Sequence, residues 1–173
     1  MSAQQSREAS RRQRTQLKST TSPTSDDLKR IIRDENATKD LINYADQLGE
    51  QLASKNLDLA TSQIRALFGE VRRIQAMWPK ESELETAADD ERILSLRNKA
   101  RKRLFLLIPK MMYRVGKETG KKKAAVRKLV DNLKPALEAV LEQTNPKEQR
   151  EYLERFVEYF EAVLAYHRFY GGK

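Results

Sequence analysis

The sequence predicts an all-α fold, a compact bundle of about five or six helices behind a disordered basic N-terminal tail. Three observations predict it. Apolar residues recur at i, i+3, i+4 and i+7 through most of the chain, the spacing that lines one face of a helix. No stretch alternates convincingly with period two, as a half-buried strand would. The segments are separated by proline, glycine or short polar clusters, which is how helices are punctuated. At 173 residues the chain suits one domain with a real core.

Residues 1 to 24 are rich in Ser, Thr, Gln and Arg, with Met1 and Leu17 the only large apolar side chains. Such a composition has nothing to offset the entropy of ordering, so a disordered tail is expected there. A short helix starting at Ser25 or the aspartates after it follows, carrying Leu28, Ile31 and Ile32. Residues 1 to 35 are therefore read as tail and short helix, and 36 to 173 as the bundle domain. In the bundle, Leu41, Tyr44, Ala45, Leu48 and Leu52 form the first stripe. After a loop at Lys55 to Ala60, Thr61 or Ser62 is placed to cap a helix bearing Ile64, Leu67, Phe68, Val71 and Ile74. Trp78-Pro79 ends it, because proline disfavours the helical region for the residue before it.

An acidic linker, Lys80 to Glu91, leads to a long helix from about Asp89, with Ile93, Ala100, Leu104, Leu107, Ile108 and Met111 in one phase. Pro109 either kinks this helix or sits in the first turn of a new one. Gly116 and Gly120 bracket an expected basic loop. The next helix carries Val126, Leu129, Val130, Leu133, Leu137, Val140 and Leu141 and is interrupted by Pro135. Asn145-Pro146, with Glu148 three residues after the asparagine, marks the start of the last helix. Its stripe is Leu153, Phe156, Val157, Phe160, Val163, Leu164 and His167, and two glycines close the fold.

Composition excludes several functions. There is no cysteine and one histidine, so thiolate chemistry is absent and no transition-metal site is expected. A reducing cytoplasm suits this, and we expect a cytoplasmic protein. The longest apolar run, Leu104 to Pro109, is far short of the roughly 20 residues that span a bilayer, so no membrane partner is expected. No cofactor is implied. Gly116 to Lys122, GKETGKK, loosely resembles a phosphate-binding loop, but it has three residues between its glycines where the pattern needs four, and no hydroxyl after the lysine. His167 lies in phase with an apolar stripe, which reads as a packed histidine near a helix end rather than a general base. The acids of the last helix, from Glu148 to Glu161, sit at surface spacing beside Arg150 and Arg155. No catalytic residues are therefore assigned, and the protein is read as a non-enzyme. Tyr152, Tyr159 and Tyr166 recur every seven residues; such a stripe can stack bases, but its commoner use is packing with the hydroxyls left wet.

Charge is the informative feature. The chain carries 34 bases and 25 acids, yet residues 97 to 123 alone hold eleven bases and one acid, Glu118. On an ideal helix Lys99, Arg103, Lys110 and Arg114 fall within about 60° of one another, opposite the apolar face. Arg97 is the exception, inside the apolar face. Arg65 and Arg72, extended by Arg73, form another basic edge. A solvated face is the bland alternative; contacts with the phosphates of a polyanion explain the concentration better.

Three segments resemble a known family. LATSQIRALFGEVRRIQ (59 to 75) is similar to an L-x-T-S-Q-I-R-x-[FL] motif of the small helical subunit of type III-A CRISPR effector complexes, the Csm complex. IPKMMYRVGK (108 to 117) is similar to its Pro-Lys-Leu-Ala-Tyr-x-x-Gly-Arg segment, with Met111, Met112 and Lys117 as departures. FEAVLAYHRFYGG (160 to 172) resembles its Phe-x-Glu-Ala-x-x-Ala-Tyr-His ending. The resemblance implies a non-catalytic subunit that lines up in several copies beside the other Csm subunits and contacts the crRNA and target RNA, in antiviral defence. By position it implies RNA contacts for Arg65, Lys110 and Lys117. Arg72, Arg73, Lys99, Arg103, Arg114 and Lys121 join them on charge and spacing alone. A-form helices offer side chains little base readout, so these contacts should be blind to guide sequence. A helical protein–protein adaptor, or a nucleic-acid-binding protein outside CRISPR, is the alternative reading.

Overall fold

The computed structural model describes residues 22–57, 59–86 and 90–173, and these form an all-α bundle with no strand among them. The tail expected up to residue 24 lies, as far as residue 21, outside the described residues. Helix α1 (Ser25–Arg33) opens with a capping box: the Thr24 hydroxyl accepts from the Asp27 amide and the Asp27 carboxylate accepts from the Thr24 amide. It buries Leu28, Ile31 and Ile32. A single 3-10 turn (Glu35–Ala37) leads into α2 (Thr38–Ala53), whose buried stripe is Leu41, Ala45, Leu48, Gly49 and Leu52.

Helix α3 (Thr61–Met77) does not use the expected cap. Ala60 occupies the cap position with no side-chain hydrogen bond, because Thr61 is already helical and its amide donates to the main-chain oxygen of Lys173. The acidic linker contains a further turn, α4 (Glu81–Thr86), which the sequence reading missed. It is held by the Lys80 amide donating to Glu83 and by burial of Leu84. Residues 87–89, the start expected for the next helix, lie outside the described residues.

Helix α5 (Glu91–Lys117) starts at Asp90, whose carboxylate accepts from the amides of Arg92 and Ile93, and it continues unbroken through Pro109. Proline removes one donor from the ladder, but this one sits on an exposed face, where water can take up the freed carbonyl. The expected glycine-bracketed loop is absent. Gly116 is helical, only Glu118 and Thr119 connect, and Gly120 (φ +54°) opens α6 (Gly120–Glu142) at once. Lys121 to Lys123 are therefore held on the first turns of a helix. Pro135 does not interrupt α6. Helix α7 (Pro146–Phe169) begins as expected, with the Asn145 side chain accepting from the amides of Lys147 and Glu148.

Helix α7 is the central element: it packs against α1, α2, α3, α4 and α6, while α5 lies at the outside on α6 and α3. Phe156 and Phe160 are fully buried, and Phe68 meets Phe160 edge to face at 5.2 Å. The tyrosine stripe is not uniformly wet. Tyr159 is fully buried with no partner for its hydroxyl among the described residues, and burial pushes that phenol well above its ordinary range. The heptad spacing turns it into the core while Tyr152 and Tyr166 stay half-exposed.

His167 is fully buried and its Nε2 lies 2.8 Å from the Leu59 carbonyl, so it fastens the α2–α3 connection to the end of α7. Arg97 turns inward. It donates to the Thr144 carbonyl (2.8 Å) and the Gln149 side chain (3.1 Å), fixing the α6–α7 connection to α5, and burial, with the like charge of Arg101 beside it, lowers its pKa below the ordinary guanidinium range.

Docking of α1 has an acid-labile component. Glu142 at the end of α6 accepts from Lys29 at 2.5 Å and from Arg33, and these partners, Lys29 first, hold its carboxyl below the ordinary value of 4.5. A depressed carboxyl contributes stability that is complete above the ordinary value and is lost as pH falls through the lowered one. Glu142→Gln should therefore flatten the acid limb of the melting-temperature profile below about pH 4.5. The pair is half-exposed, so at neutral pH the cost should stay under about 1 kcal/mol. Identical acid limbs for the two proteins would show that the pair does not hold α1.

Candidate nucleic-acid interface

Helices α3 and α5 run side by side in opposite directions, as their cross-contacts show. Gln63 meets Glu118 at 3.2 Å, Glu70 meets Lys110 at 3.2 Å and Arg114 at 3.0 Å, and the Met77 sulfur lies 2.9 Å from Arg103. Residues advancing along α3 thus meet residues retreating along α5. Because α5 buries only the face bearing Ile93, Ala100, Leu104, Leu107, Met111 and Val115, most of its circumference faces solvent.

Eight of the nine sequence-predicted residues are exposed: Arg65, Arg72 and Arg73 on α3, Lys99, Arg103, Lys110 and Lys117 on α5, and Lys121 on α6; Arg114 is half-buried. The structure brings five together along α5. Lys110 and Arg114 share one carboxylate, Glu70, which is partly buried between the helices. Arg103 rests on Met77, and Arg72 donates to Gln75, neither contact cancelling charge. Arg65, Arg73, Lys99, Lys117 and Lys121 have no acid partner among the described residues.

Arg65 and Arg72 do not join the α5 row. On an ideal wheel they lie roughly 140–180° around α3 from Gln63 and Glu70, the residues that face α5. They form a separate edge, with Arg73 between the two groups.

Between α3, α5 and α6 lies a cleft of about 760 Å³, walled by apolar residues including Leu67, Leu106 and Leu129 and rimmed by Lys110, Arg114 and Lys117. Tyr113, 70% exposed, stands at its edge. Flat aromatic surface beside cations is suited to a base and its phosphate. On the far side of α5, Leu94, Phe105 and Met112 form an exposed apolar stripe with Arg101 over the Phe105 ring.

Sequence reasoning missed the counter-charge. Nothing in the pattern of α3 says that Glu70 will sit against Lys110 and Arg114, since that depends on how two helices pair. It also missed Arg168 and Lys173, which the Gly171-Gly172 turn brings to the start of α3. The Gly-Gly-Lys ending was the available signal.

Among the described residues no cluster of three or more histidines, aspartates and glutamates could hold a metal ion, and no helix is long and apolar enough to cross a membrane. A family model described as Csm2 Type III-A matches residues 35–173. No curated protein and no solved structure matches the chain.

Proposed function

The chain belongs to the Csm2 type III-A family and is a small helical subunit of a type III-A CRISPR Csm complex, and from that premise we propose that it binds the backbone of the crRNA and target RNA without reading their sequence. The observation that carries this is the set of exposed cations on α3, α5 and α6 that no acid among the described residues neutralises, Arg65, Arg73, Lys99, Lys117 and Lys121. Arg72, Arg103, Lys110 and Arg114 complete the contact surface. Lysine and arginine on the outer face of a helix contact phosphate, which carries affinity but no sequence information. The subunit itself is non-catalytic in this reading, works in the cytoplasm and needs no cofactor.

The same outer helix supports a second role, in assembly. Phe105 and Met112 are each close to half-exposed, and a stripe of that kind is covered by another chain more readily than by water. Other Csm subunits and further copies of this one are its proposed partners, which would help build the filament. Tyr159, the middle residue of the tyrosine stripe, is in the core and takes no part in such a contact.

Purified protein should bind RNA duplex with affinity falling steeply as salt rises. Five neutralised phosphates would give a slope of log K against log salt of about −4 to −5. Two RNAs of equal length and unrelated sequence should give the same slope and affinity. Binding that ignores salt would remove the phosphate-contact reading.

A further inference from the structure

The N-terminal end of α3 is built differently from the rest of the basic surface. The residue at its cap position is Ala60, whose methyl group can accept no hydrogen bond. The Thr61 amide donates to the Lys173 main-chain oxygen and the Gln63 amide to the Ala60 carbonyl, which leaves the Ser62 amide without an acceptor among the described residues. A hollow of about 730 Å³ opens there, lined in part by Thr61, Ser62, Arg65, Arg168 and Lys173. The last two are delivered by the end of α7. Gly171 takes a left-handed conformation (φ +89°), the Gly172 amide donates to the His167 carbonyl, and the chain folds back so that the Lys173 main-chain oxygen accepts from the Thr61 amide. Gly172 is confined to this path, because a Cβ there would lie 2.0 Å from the His167 ring. Arg168 is steadied by donating to the Gly172 carbonyl at 3.1 Å.

Two properties of this hollow point to an anion. Arg65, Arg168 and Lys173 have no acid partner among the described residues, whereas Lys110 and Arg114 on the α5 row share Glu70. The Thr61 side chain, only 5% exposed, has a hydroxyl with no hydrogen-bond partner among the described residues. A buried hydroxyl without a partner is costly, and one beside a helix N-terminus and three cations is a donor without an acceptor. The positive end of the α3 dipole favours the same occupant.

We propose that this hollow is a phosphate-binding site, in which the Ser62 amide of α3 and the hydroxyls of Thr61 and Ser62 donate to a phosphate whose charge is balanced by Arg65, Arg168 and Lys173. The assignment of that phosphate to an RNA backbone rests on the function proposed above; the site itself does not. Through it Arg65, which lies apart from the α5 row, acquires a defined partner.

The test is titration of the full chain with inorganic phosphate against chloride at matched ionic strength, followed by backbone amide shifts. Saturable shifts at Thr61 and Ser62 with phosphate alone support the site, and shifts that merely follow ionic strength overturn it. Thr61→Val keeps the shape of the side chain and removes the hydroxyl. It should raise the melting temperature by about 2–4 °C, because an unpartnered buried group is gone, while weakening phosphate about tenfold. A purely structural threonine would give the first effect without the second. Arg168→Gln repeats the affinity measurement at an exposed position where folding is not at stake, and unchanged phosphate affinity in both variants overturns the proposal.

An RNA without terminal phosphates then identifies the source. Shifts at the same amides mark a backbone phosphodiester; RNA binding that leaves them unmoved marks a free or terminal phosphate. RNA that fails to bind a chain which still takes phosphate sinks the RNA reading and leaves the site standing.

Discussion

Replacing Gly49 with alanine is expected to cost the fold about 2 kcal/mol, a fall of roughly 4–8 °C in melting temperature. Gly49 is buried on α2 where that helix crosses α7. A Cβ there would lie 2.6 Å from the Tyr166 Cβ, 2.7 Å from the His167 amide nitrogen and 2.9 Å from the Tyr166 carbonyl carbon. Two of those atoms are backbone, so the clash cannot be relieved by turning a side chain, and the helices must separate. Overpacking of this kind costs about 1–3 kcal/mol or more, and the roughly 1 kcal/mol that alanine returns in helix propensity only partly offsets it. Gly69→Ala is the control. It is also inside a helix, with nothing within 4 Å of its added Cβ, and should gain about 0.5–1 kcal/mol. Thermal melts followed by circular dichroism decide the matter: a Gly49→Ala protein that melts as high as Gly69→Ala would show that the seam tolerates separation.

That seam matters for more than stability. His167 sits at the crossing, its ring holds the Leu59 carbonyl, and Gly172 packs on the ring. Spreading α2 from α7 would disturb the path that carries Lys173 to the start of α3. Gly49→Ala should accordingly weaken phosphate at that site even below its melting temperature.

The residues that announced themselves in the sequence were those whose role is set by their own helix. The apolar stripes of α2, α3, α6 and α7 correspond closely to the buried residues because helical periodicity is local, and Asn145-Pro146 starts α7 because capping needs only neighbours in sequence. The basic row of α5 was legible for the same reason. What could not be read depends on a second element. Thr61 or Ser62 was expected to cap α3, but both lie inside the helix, and the returning C-terminal residues occupy the Thr61 amide. Arg97 looked misplaced on an apolar face until Thr144 and Gln149 came up beside it. Tyr159 carries the same residue type at the same heptad position as Tyr152 and Tyr166, and only the helices packed around α7 make it core. Pro109 was expected to kink its helix or to start a new one and Pro135 to interrupt its helix, yet a single missing donor inside a long, well-packed helix is outweighed by the burial on either side of it.

Charge reversal at Arg73, Lys99 and Lys117 together is expected to weaken RNA binding by two to three orders of magnitude near 0.1 M salt. Each lost phosphate contact removes close to one unit of salt slope and about tenfold in affinity. These three are chosen because none is tied to an acid among the described residues and all three are exposed, so the fold should be indifferent to the change. Glu70→Gln asks the opposite question. Glu70 holds Lys110 and Arg114 at 3.2 and 3.0 Å, and a cation already paired releases fewer counterions on meeting a phosphate. Neutralising it should tighten RNA binding up to about tenfold and steepen the salt slope by about one unit, at a stability cost under about 1 kcal/mol because the pair is partly exposed. The two results together locate the RNA. Loss in the triple variant with gain in Glu70→Gln places the strand along the whole of α5. Loss without gain would confine it to the unpaired cations, with Lys110 and Arg114 serving to hold α3 against α5. A triple variant that binds as the parent does would move the RNA off this face altogether.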